Sequence, residues 1–268
     1  MDIFKVVSFN MRRQTRFDRK YRWQRRKEIA AEVIRRSGAS VVGVQELLPG
    51  MRRDVSSLLD DYSIIGSGRF QARDASGNEH ADILIKNEDA SVSFYQTFWL
   101  SNHPEVESRA YFAAFPRICT VAEIHLKKLD RRIRVFNTHF DHVCGPARTL
   151  GVKIILECME RFNQKDPLPT ILMGDLNAKP TSRPITILRE NLHHFPTVHL
   201  NDVYTCCPDL NIQNTYRGFW ARIKKLPIDY IFVSDEFEVE QVAFDNLEVD
   251  GRYPSDHYPV SATLRLKP

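Results

Sequence analysis

Residues 253–260, YPSDHYPV, place an acid and a titratable ring directly before a run of strand-forming residues at 260–266. Two further polar clusters follow or interrupt short apolar runs, THFDH at 138–142 and GDLN at 174–177. A buried strand delivers polar groups to one edge of a sheet in this way. The three clusters therefore predict strands that bring Asp, Asn and His side chains to a common edge.

The rest of the chain alternates strand-like and helical segments. Strands are predicted at 3–9, 41–44, 83–86, 92–99, 118–126, 133–137, 170–173, 228–233, 239–244 and 260–266. Helices are predicted at 23–36, 52–59, 146–162 and 184–190. This mixture favours stacked sheets covered by helices, an α/β sandwich. No linker rich in Pro, Gly or Ser interrupts it, so we expect a single domain over residues 1–268.

Positive charge is concentrated near the amino end, although the formal net charge of the chain is only +4. Residues 12–36 hold eleven Arg or Lys against three acids, which gives that segment a net charge near +8. A concentrated basic patch attracts polyanions, and the attraction weakens with salt. A solvated helix face is the other interpretation of this segment.

Cysteine usage and the amino terminus favour a reducing compartment. The five Cys form no CxxC pair and have no framework spacing, so neither a disulfide scaffold nor a zinc site is expected. The start, MDIFKVVSFN, does not resemble a signal peptide, and no apolar run reaches transmembrane length. We expect a cytoplasmic protein with no integral membrane segment and no obligate protein partner.

Two polar side chains end strands in the first part of the chain. Glu46 follows the apolar run at 41–44, and Asn10 follows the run at 3–9. An ionised carboxylate at the end of a buried strand must be solvated, paired or bound to metal, because burial alone is costly. Taken singly, each residue is more often a turn or cap residue.

The cluster at 174–177 offers an acid and an amide. Gly174 lets the backbone turn, and Asp175 and Asn177 share a side if the backbone stays extended. Asp can orient or deprotonate a water, while Asn can donate to an oxyanion without adding negative charge. An Asx-type turn would use the same residues for structure alone.

His257 has a candidate partner in Asp229, an acid inside the apolar stretch at 228–233. An Asp–His pair raises the imidazole pKa and fixes its tautomer. The alternative is a turn capped by Asp256, which stands between two prolines.

The cluster at 138–142 alternates polar and apolar residues. In an extended strand His139 and Asp141 lie on one face and His142 lies on the other. This spacing suits a transition metal, but the other clusters offer mostly oxygen donors, so a phosphate-contacting role is preferred. Arg148 can reach a phosphate with two hydrogen bonds, or form a surface salt bridge instead.

Six motifs in order make the sequence resemble the endonuclease/exonuclease/phosphatase, or DNase I-like, superfamily. They are SFN at 8–10, QE at 45–46, THFDH at 138–142, GDLN at 174–177, IDYIFVS at 228–234 and YPSDHYPV at 253–260. The superfamily includes abasic-site nucleases, deadenylases, inositol polyphosphate 5-phosphatases and neutral sphingomyelinases. Trp99-Leu100-Ser101, Pro116-Arg117, Asp141-His142, Gly145 and Arg148 match its compact bacterial subgroup, which is similar to deadenylase-like catalytic domains.

The resemblance implies a four-layer α/β sandwich, in which two packed mixed β-sheets are flanked by helices and the site lies at one edge. It also implies a Mg²⁺ ion, with Mn²⁺ as an alternative, held by three side chains. By motif these are Asn10, Glu46 and Asp256, and Glu46 is the strongest ligand.

The resemblance further implies two groups of catalytic residues. Asp175 and Asn177 match the residues that position and activate the attacking water. His257, oriented by Asp229, and His139 match the two histidines that contact the scissile phosphate. Glu79 falls where some members of the superfamily place a carboxylate that supports the second histidine.

We therefore expect a Mg²⁺-dependent phosphoesterase, with nucleic acid or nucleotides as the first substrate class because the basic segment 12–27 follows Asn10. The alternative substrate is an inositol, sugar or lipid-headgroup phosphate, and a third possibility is a phosphate-binding module without catalysis. The segment RAYF at 109–112 departs from the subgroup pattern and leaves the substrate open. Candidate substrate contacts are Asp141, His142, Arg148, Arg117 and Trp220, the last by stacking on a base.

Overall fold

Two six-stranded sheets pack face to face, and helices cover their outer sides. The structure is a computed structural model that describes residues 3–71, 77–191, 195–207, 210, 214–219 and 226–268. It confirms the expected four-layer α/β sandwich of two mixed sheets. Within those ranges, no helix is both long enough and apolar enough to cross a membrane.

The first sheet contains both ends of the chain. Its strands are β1 (Ile3–Asn10), β2 (Val41–Leu47), β3 (Tyr62–Ile65), β4 (His80–Lys86), β11 (Phe237–Phe244) and β12 (Val260–Leu266). They lie in the order β11-β12-β1-β2-β4-β3. The neighbours β1 and β2 are parallel, and the other pairs in this sheet are antiparallel.

The second sheet is built from the middle of the chain. Its strands are β5 (Ala90–Trp99), β6 (Ile118–Leu126), β7 (Arg131–His139), β8 (Thr170–Asp175), β9 (Asn201–Asp202) and β10 (Asp229–Val233). They lie in the order β5-β6-β7-β8-β10-β9. Here β7 and β8 are parallel, and the remaining neighbours are antiparallel.

The helices begin and end where the sequence supplies the usual signals. They are α1 (Trp23–Ser37), α2 (Pro49–Leu58), α3 (Gly145–Asn163), α4 (Arg183–Glu190) and α5 (Val203–Cys206), with a 3-10 helix at Arg16–Tyr21. Gly38 ends α1 in the left-handed region, with a φ of 62°. A proline stands in the first turn of α2, α3 and α4, where its missing N–H costs nothing.

Apolar side chains fill two layers of core. The main core lies between the sheets and continues under α3 and α4. A second layer packs Val7 and Phe9 of β1, with Val42 and Val44 of β2, against α1 and α2. Because these two strands are buried on both faces, they read in the sequence as nearly continuous apolar runs.

All ten predicted strands and all four predicted helices are confirmed, with ends that differ by a few residues. The sequence did not predict β3, β9 or α5. These elements have four, two and four residues, which is too short for a strand or helix period to show.

A buried polar bridge joins the two sheets through Asn137 of β7. Its side-chain Nδ2 donates to the backbone oxygens of Val44 at 2.9 Å and Asp82 at 2.8 Å. Its Oδ1 accepts a hydrogen bond from Nε2 of Gln45 at 2.7 Å. Asn137 and Gln45 are fully buried. If the side-chain amide of Asn137 is lost, no water can take its place, so its hydrogen-bond partners stay unpaired.

We expect Asn137→Leu to lower the free energy of unfolding by about 3 kcal/mol, since it leaves several buried polar groups unpaired. Urea titration measures the loss. The exposed residue Asn102 supplies the matched control, Asn102→Leu. A stability within about 0.5 kcal/mol of wild type in the Asn137 variant would contradict the bridge.

Candidate active site

The strand directions bring polar residues from both sheets to one edge. The parallel pair β1 and β2 ends at Asn10 and near Glu46, and the parallel pair β7 and β8 ends at His139 and Asp175. Asp229 opens the antiparallel strand β10 directly opposite Asp175. Carboxyl ends of parallel strands are the usual place for a site in α/β sheets.

The turn before β12 completes this edge with Asp256 and His257. Val260, the first residue of β12, pairs with Ser8 of β1, so the turn lies beside the end of that strand. Ser255 fixes it there because its hydroxyl donates to the backbone oxygen of Asn10 at 2.6 Å. Asp256 and His257 are buried, with 4% and 5% of their surface exposed.

Asn10 connects carboxylates from the two sheets. Its Nδ2 donates to Oδ2 of Asp175 at 3.0 Å and lies 3.3 Å from Oε1 of Glu46. Its Oδ1 accepts the backbone N–H of Arg12 at 2.9 Å. A neutral amide therefore separates two acids that would otherwise repel each other.

Glu46 is held as a carboxylate at the end of β2. The residue adopts a φ of 61°, and its Oε2 accepts the backbone N–H of Arg13 at 2.8 Å. Burial acts to raise its pKa, but the positive charges of His139, when protonated, and Arg12, together with this N–H, lower the pKa to about 2. An acid ionised at every working pH in a buried place is suited to a cation.

Asp256 supplies a second carboxylate on the same side. Burial raises its pKa, as does the nearby charge of Glu46, while His257 and Arg12 act in the opposite direction. Its Oδ2 lies 3.7 Å from Nε of Arg12, a nitrogen that is shielded from solvent and has no hydrogen-bond partner among the described residues. The two acids fit Mg²⁺ or Mn²⁺ by donor chemistry, and the amide oxygen of Asn10, which already accepts the Arg12 N–H, keeps a second lone pair for a cation.

A second group of donors also has spacing that could hold a metal. Oxygen or nitrogen atoms of Asp175, Asp229 and His257 all lie within 4.8 Å of one another. In this group, however, Nδ1 of His257 is already engaged by Asp229, at 2.9 Å from Oδ2 and 3.2 Å from Oδ1. Asp229 and His257 therefore form a charged hydrogen-bonded pair, and Asp175 is the neighbouring acid.

His257 is held in its protonated form. Burial lowers the pKa of the imidazole, but the charge and hydrogen bond of Asp229, with the charge of Asp175, raise it to about 10. Tyr216 packs its ring edge-on against the imidazole at 4.9 Å between centroids. Since Nδ1 is bonded to Asp229, Nε2 is the donor that faces the rest of the site, 3.8 Å from Oδ2 of Asp175.

The pKa of Asp175 is shifted in the same direction as that of His257, so this carboxylate accepts a proton more readily than an ordinary one. Burial and the charge of Asp229 raise its pKa to about 7. Asn177, with a φ of 47°, donates its backbone N–H to Oδ1 of Asp175 at 2.9 Å and one side-chain N–H to the oxygen of Phe140 at 3.0 Å. Asp175 and Asn177 thus form an Asx-type turn, in which the backbone N–H of Asn177 orients the acid and its side-chain amide bonds elsewhere. The extended arrangement expected for the two residues is not formed, because Asn177 lies in the left-handed region.

His139 lies on the other side of Asp175, with Nε2 at 3.6 Å from Oδ2. Burial, together with the charge of Arg117, lowers the pKa of this imidazole well below its usual range. The ring is therefore neutral near neutral pH and can donate one hydrogen bond without adding charge.

Asp141 makes its hydrogen bonds within the protein. It accepts the backbone N–H groups of Ala114, Val143 and Cys144 at 3.0, 2.9 and 2.7 Å, and so holds the loop that leads into α3. Arg148 donates to its backbone oxygen at 2.8 Å. These contacts hold the loop that also carries His142, another predicted substrate contact.

Two other candidates from this region, Arg117 and His142, contact each other. Arg117 is 8% exposed, and its guanidinium nitrogen lies 3.1 Å from Nδ1 of His142, an exposed residue. Trp220 lies outside the described residues. Glu79, expected to support His139, places its two carboxylate oxygens on Arg13 at 2.8 Å and Arg69 at 3.0 Å.

The family of the chain follows from its sequence. The Endonuclease/Exonuclease/phosphatase family model matches residues 7–257, so the chain belongs to this family. The solved endonuclease/exonuclease/phosphatase from Bacteroides vulgatus superimposes with a TM-score of 0.90 at 26% identity, over 100% of both chains.

Two further solved structures are similar. The mannosyl-6-phosphatase Bt3783 of Bacteroides thetaiotaomicron has a TM-score of 0.87 and 28% identity, over 97% of this chain and 99% of that one. The human Nocturnin catalytic domain, with a bound sulfate anion, has a TM-score of 0.77 and 17% identity, over 99% and 95%. At this identity the likeness to Nocturnin shows the fold alone.

Members of the family are phosphoric ester hydrolases that generally depend on a divalent metal, and the chain is an enzyme of this class. This chemistry fits the site, where the pKa of His257 is raised, that of His139 is lowered, and carboxylate oxygens such as those of Glu46 lie nearby.

Arg69 was missed from the sequence, although the structure places it near the site. It lies in the loop after β3, in no motif, and only folding reveals its contact with Glu79, ten residues away. The role of Arg12 within the site was also missed, because the sequence offered it as one of eleven basic residues in a segment.

We expect Asp229→Asn to lower the pKa of His257 below about 10 in the metal-free protein and to reduce kcat by about 100-fold or more. The substitution keeps the shape of the partner but removes the charge that holds the proton. NMR titration of the imidazole and initial rates measure the two effects. Asp60→Asn, at an exposed position, is the control, and an unchanged kcat in the Asp229 variant would refute the pairing.

We expect Asp141→Ala to cost about 2 kcal/mol of folding stability at pH 7, through the loss of three N–H acceptors. Burial acts to raise the pKa of Asp141, but the backbone N–H groups of Cys144 and Val143 outweigh it and lower the pKa.

The ionised carboxylate therefore adds stability above its ordinary pKa of about 3.9, and this stability is lost as pH falls through the lower, folded-state pKa. Urea unfolding of wild type and variant should differ fully at pH 7 and much less in strong acid. An equal difference at both pH values would mean that the charge of Asp141 is not involved.

Proposed function

We propose that the protein is a nuclease, which hydrolyses phosphodiester bonds of nucleic acid or nucleotides by in-line attack of water. The observation that supports the reaction type is the pair of groups at the sheet edge, where Asp229 holds a proton on His257 and the raised pKa of Asp175 suits it to accept a proton. The same edge offers oxygen donors for a cation.

In this proposal each described residue has one task. Asp175, oriented by the N–H of Asn177, accepts the proton of the attacking water. The Nε2–H of His257 and the N–H of neutral His139 hydrogen-bond the phosphoryl oxygens, where negative charge increases in the transition state.

Asn10, Glu46 and Asp256 would hold the divalent metal. Bound there, a Mg²⁺ or Mn²⁺ ion supplies Lewis-acid stabilisation of charge on the phosphoryl and leaving oxygens. Asn10 in addition holds Asp175 in place through the bond between Nδ2 and Oδ2.

Support for a polyanionic substrate comes from the segment that follows β1. Arg12 lies beside Asp256, and Arg13 forms a salt bridge with Glu79. Beyond them, Arg16, Lys20 and Arg25 are exposed, so their charges reach solvent within the segment that follows Asn10. By contrast Arg26 of this segment is buried and serves the scaffold, where it donates to backbone oxygens of Tyr21, Met11, Arg12 and Pro254.

A second candidate function is hydrolysis of a sugar phosphate or a related inositol or lipid-headgroup phosphate. The likeness to a mannosyl-6-phosphatase favours it, since that structure matches nearly the whole chain at 28% identity. In this case the arginines near the site would bind the phosphate of a small molecule.

A panel of substrates distinguishes the two candidates. Hydrolysis with Mg²⁺ is measured for single-stranded RNA and DNA, duplex DNA, dinucleotides, sugar phosphates and inositol phosphates, with wild type and His257→Ala. Polymer cleavage that is lost in His257→Ala supports the nuclease. Release of inorganic phosphate from small esters alone supports the phosphatase.

Charge reversal of Arg16, Lys20 and Arg25 to Glu tests the basic segment separately. We expect polymer cleavage to fall at least about tenfold, with a weaker dependence on salt, and to fall far more than hydrolysis of a small ester.

The matched control for this variant reverses three exposed charges outside residues 12–36, those of Lys127, Arg131 and Lys165. Lys165 follows the carboxyl end of α3, and Lys127 and Arg131 flank the turn between β6 and β7, at the end away from the site. Equal losses in both triple variants would mean that the basic segment has no specific part in polymer cleavage.

A further inference from the structure

Two buried arginines without full partners lie in the wall beside His139. Arg69 is 3% exposed and Arg117 is 8% exposed. The Nε atom of each is shielded from solvent and has no hydrogen-bond partner among the described residues. Buried guanidinium groups normally use their donors, so unused donors at this place require an explanation.

The acids near these arginines are shared or already occupied. Glu79 divides its oxygens between Arg13 and Arg69. The other bond of Arg69 runs to the backbone oxygen of Gly77 at 3.2 Å. Arg117 has Oδ2 of Asp141 at 3.5 Å from its Nε.

Both oxygens of Asp141 also accept backbone N–H groups. The buried guanidinium groups of Arg69 and Arg117, with the half-exposed Arg13, therefore share two carboxylates that are already bonded elsewhere. The further acid whose charge reaches Arg69 is Glu46, the carboxylate proposed to bind the cation. Excess positive charge in a buried place is unfavourable until an anion joins it.

The two arginines lie close to each other and to His139 of the catalytic centre. Burial lowers the pKa of Arg69; Glu79 acts against this, and the nearby charges of Arg117 and Arg13 lower it further. Burial and the charges of Arg117 and, more weakly, Arg69 lower the pKa of His139, so both arginines are close to this ring.

On the outer side, the guanidinium of Arg69 lies 4.3 Å from the ring centroid of Phe115, which is 38% exposed. Arg117 contacts the exposed His142. A group attached to the scissile phosphate and directed toward solvent would pass between these residues.

We propose that Arg69 and Arg117 form a subsite for a second phosphate group of the substrate, next to the phosphate that is hydrolysed. This inference rests on the proposed phosphoesterase function of the site. Guanidinium groups recognise phosphate through several charged hydrogen bonds at once. The second phosphate is the neighbouring one in a nucleic acid, or a second phosphoryl group on a small molecule.

Binding of two phosphonates tests the subsite without turnover, because their carbon–phosphorus bonds are not esters. Propane-1,3-diyl bisphosphonate and propylphosphonate are titrated by calorimetry, with Mg²⁺, into wild type, Arg69→Met and Arg117→Met. We expect wild type to prefer the bisphosphonate by at least about tenfold. Each variant should lose most of this preference, and Arg117→Lys should recover only part.

The ratio of two affinities within one protein separates the subsite from general damage. Arg36→Met, at an exposed position far from the site, should keep the wild-type ratio. If Arg69→Met does not fold, the ratio in Arg117→Met decides. Equal affinities in wild type, or a preference that survives in Arg117→Met, would overturn the inference.

Hydrolysis of matched substrate pairs identifies the source of the second phosphate. One pair is a dinucleotide with and without a 5′-phosphate, and the other is a sugar bisphosphate and its monophosphate. If only the sugar pair is hydrolysed but the preference is lost in the arginine variants, the nuclease proposal fails and the subsite stands. If dinucleotides are hydrolysed without any preference, the subsite fails and the nuclease stands.

Discussion

The hydrogen bond from Asn10 to Asp175 is the contact on which the site depends. It joins the end of β1 in the first sheet to the end of β8 in the second, at 3.0 Å, with both residues nearly or fully buried. Deeper in the molecule, Asn137 joins the same sheets through backbone oxygens of β2 and β4. The two amides fix the sheets relative to each other, so residues more than 160 positions apart in the chain meet at atomic distances.

This junction also divides the site by charge. On the side of the first sheet, Glu46 and Asp256 accumulate negative charge beside Arg12, in the arrangement that oxygen-binding cations require. On the side of the second sheet, Asp229 holds a proton on His257, while Asp175 has a raised affinity for one. The pKa values of the two histidines are pushed apart, since that of His257 is raised and that of His139 is lowered, and such divergence is typical of acid–base catalysis. The proposed subsite of Arg69 and Arg117 extends the same division outward, with excess positive charge where a further anion would lie.

The sequence predicted most of the fold because several strands, β1, β2, β8 and β10 among them, are buried on both faces. Continuous apolar runs such as 41–44 leave little doubt about a strand, and the polar residue that ends each run marks the edge of the sheet. The resemblance supplied what periodicity lacks, namely that strands of two different sheets meet at one site. The short strand β9 and the role of Asn137 were beyond reach, because two residues show no period and a lone Asn in an apolar run has no distinguishing neighbours.

Among the charged residues around the site, the local sequence predicts some pairs, and only the fold determines others. Asp229 was found because an acid inside an apolar stretch needs a partner, and His257 is that partner. Arg69 and Glu79 were not paired in advance, because surface loops of this composition carry acids and bases in every arrangement. Their pairing depends on how the segment after β3 returns to β4, which the local sequence does not specify.

The most direct test of this division is the position of a bound metal. Crystals grown with Mn²⁺ and inorganic phosphate, with anomalous diffraction, locate the ion without reference to activity. The account predicts an ion bound by Glu46 and Asp256 beside Asn10, with the phosphate between it and His257. An ion bound instead by Asp175, Asp229 and His257, whose donor atoms lie within 4.8 Å of one another, would contradict it.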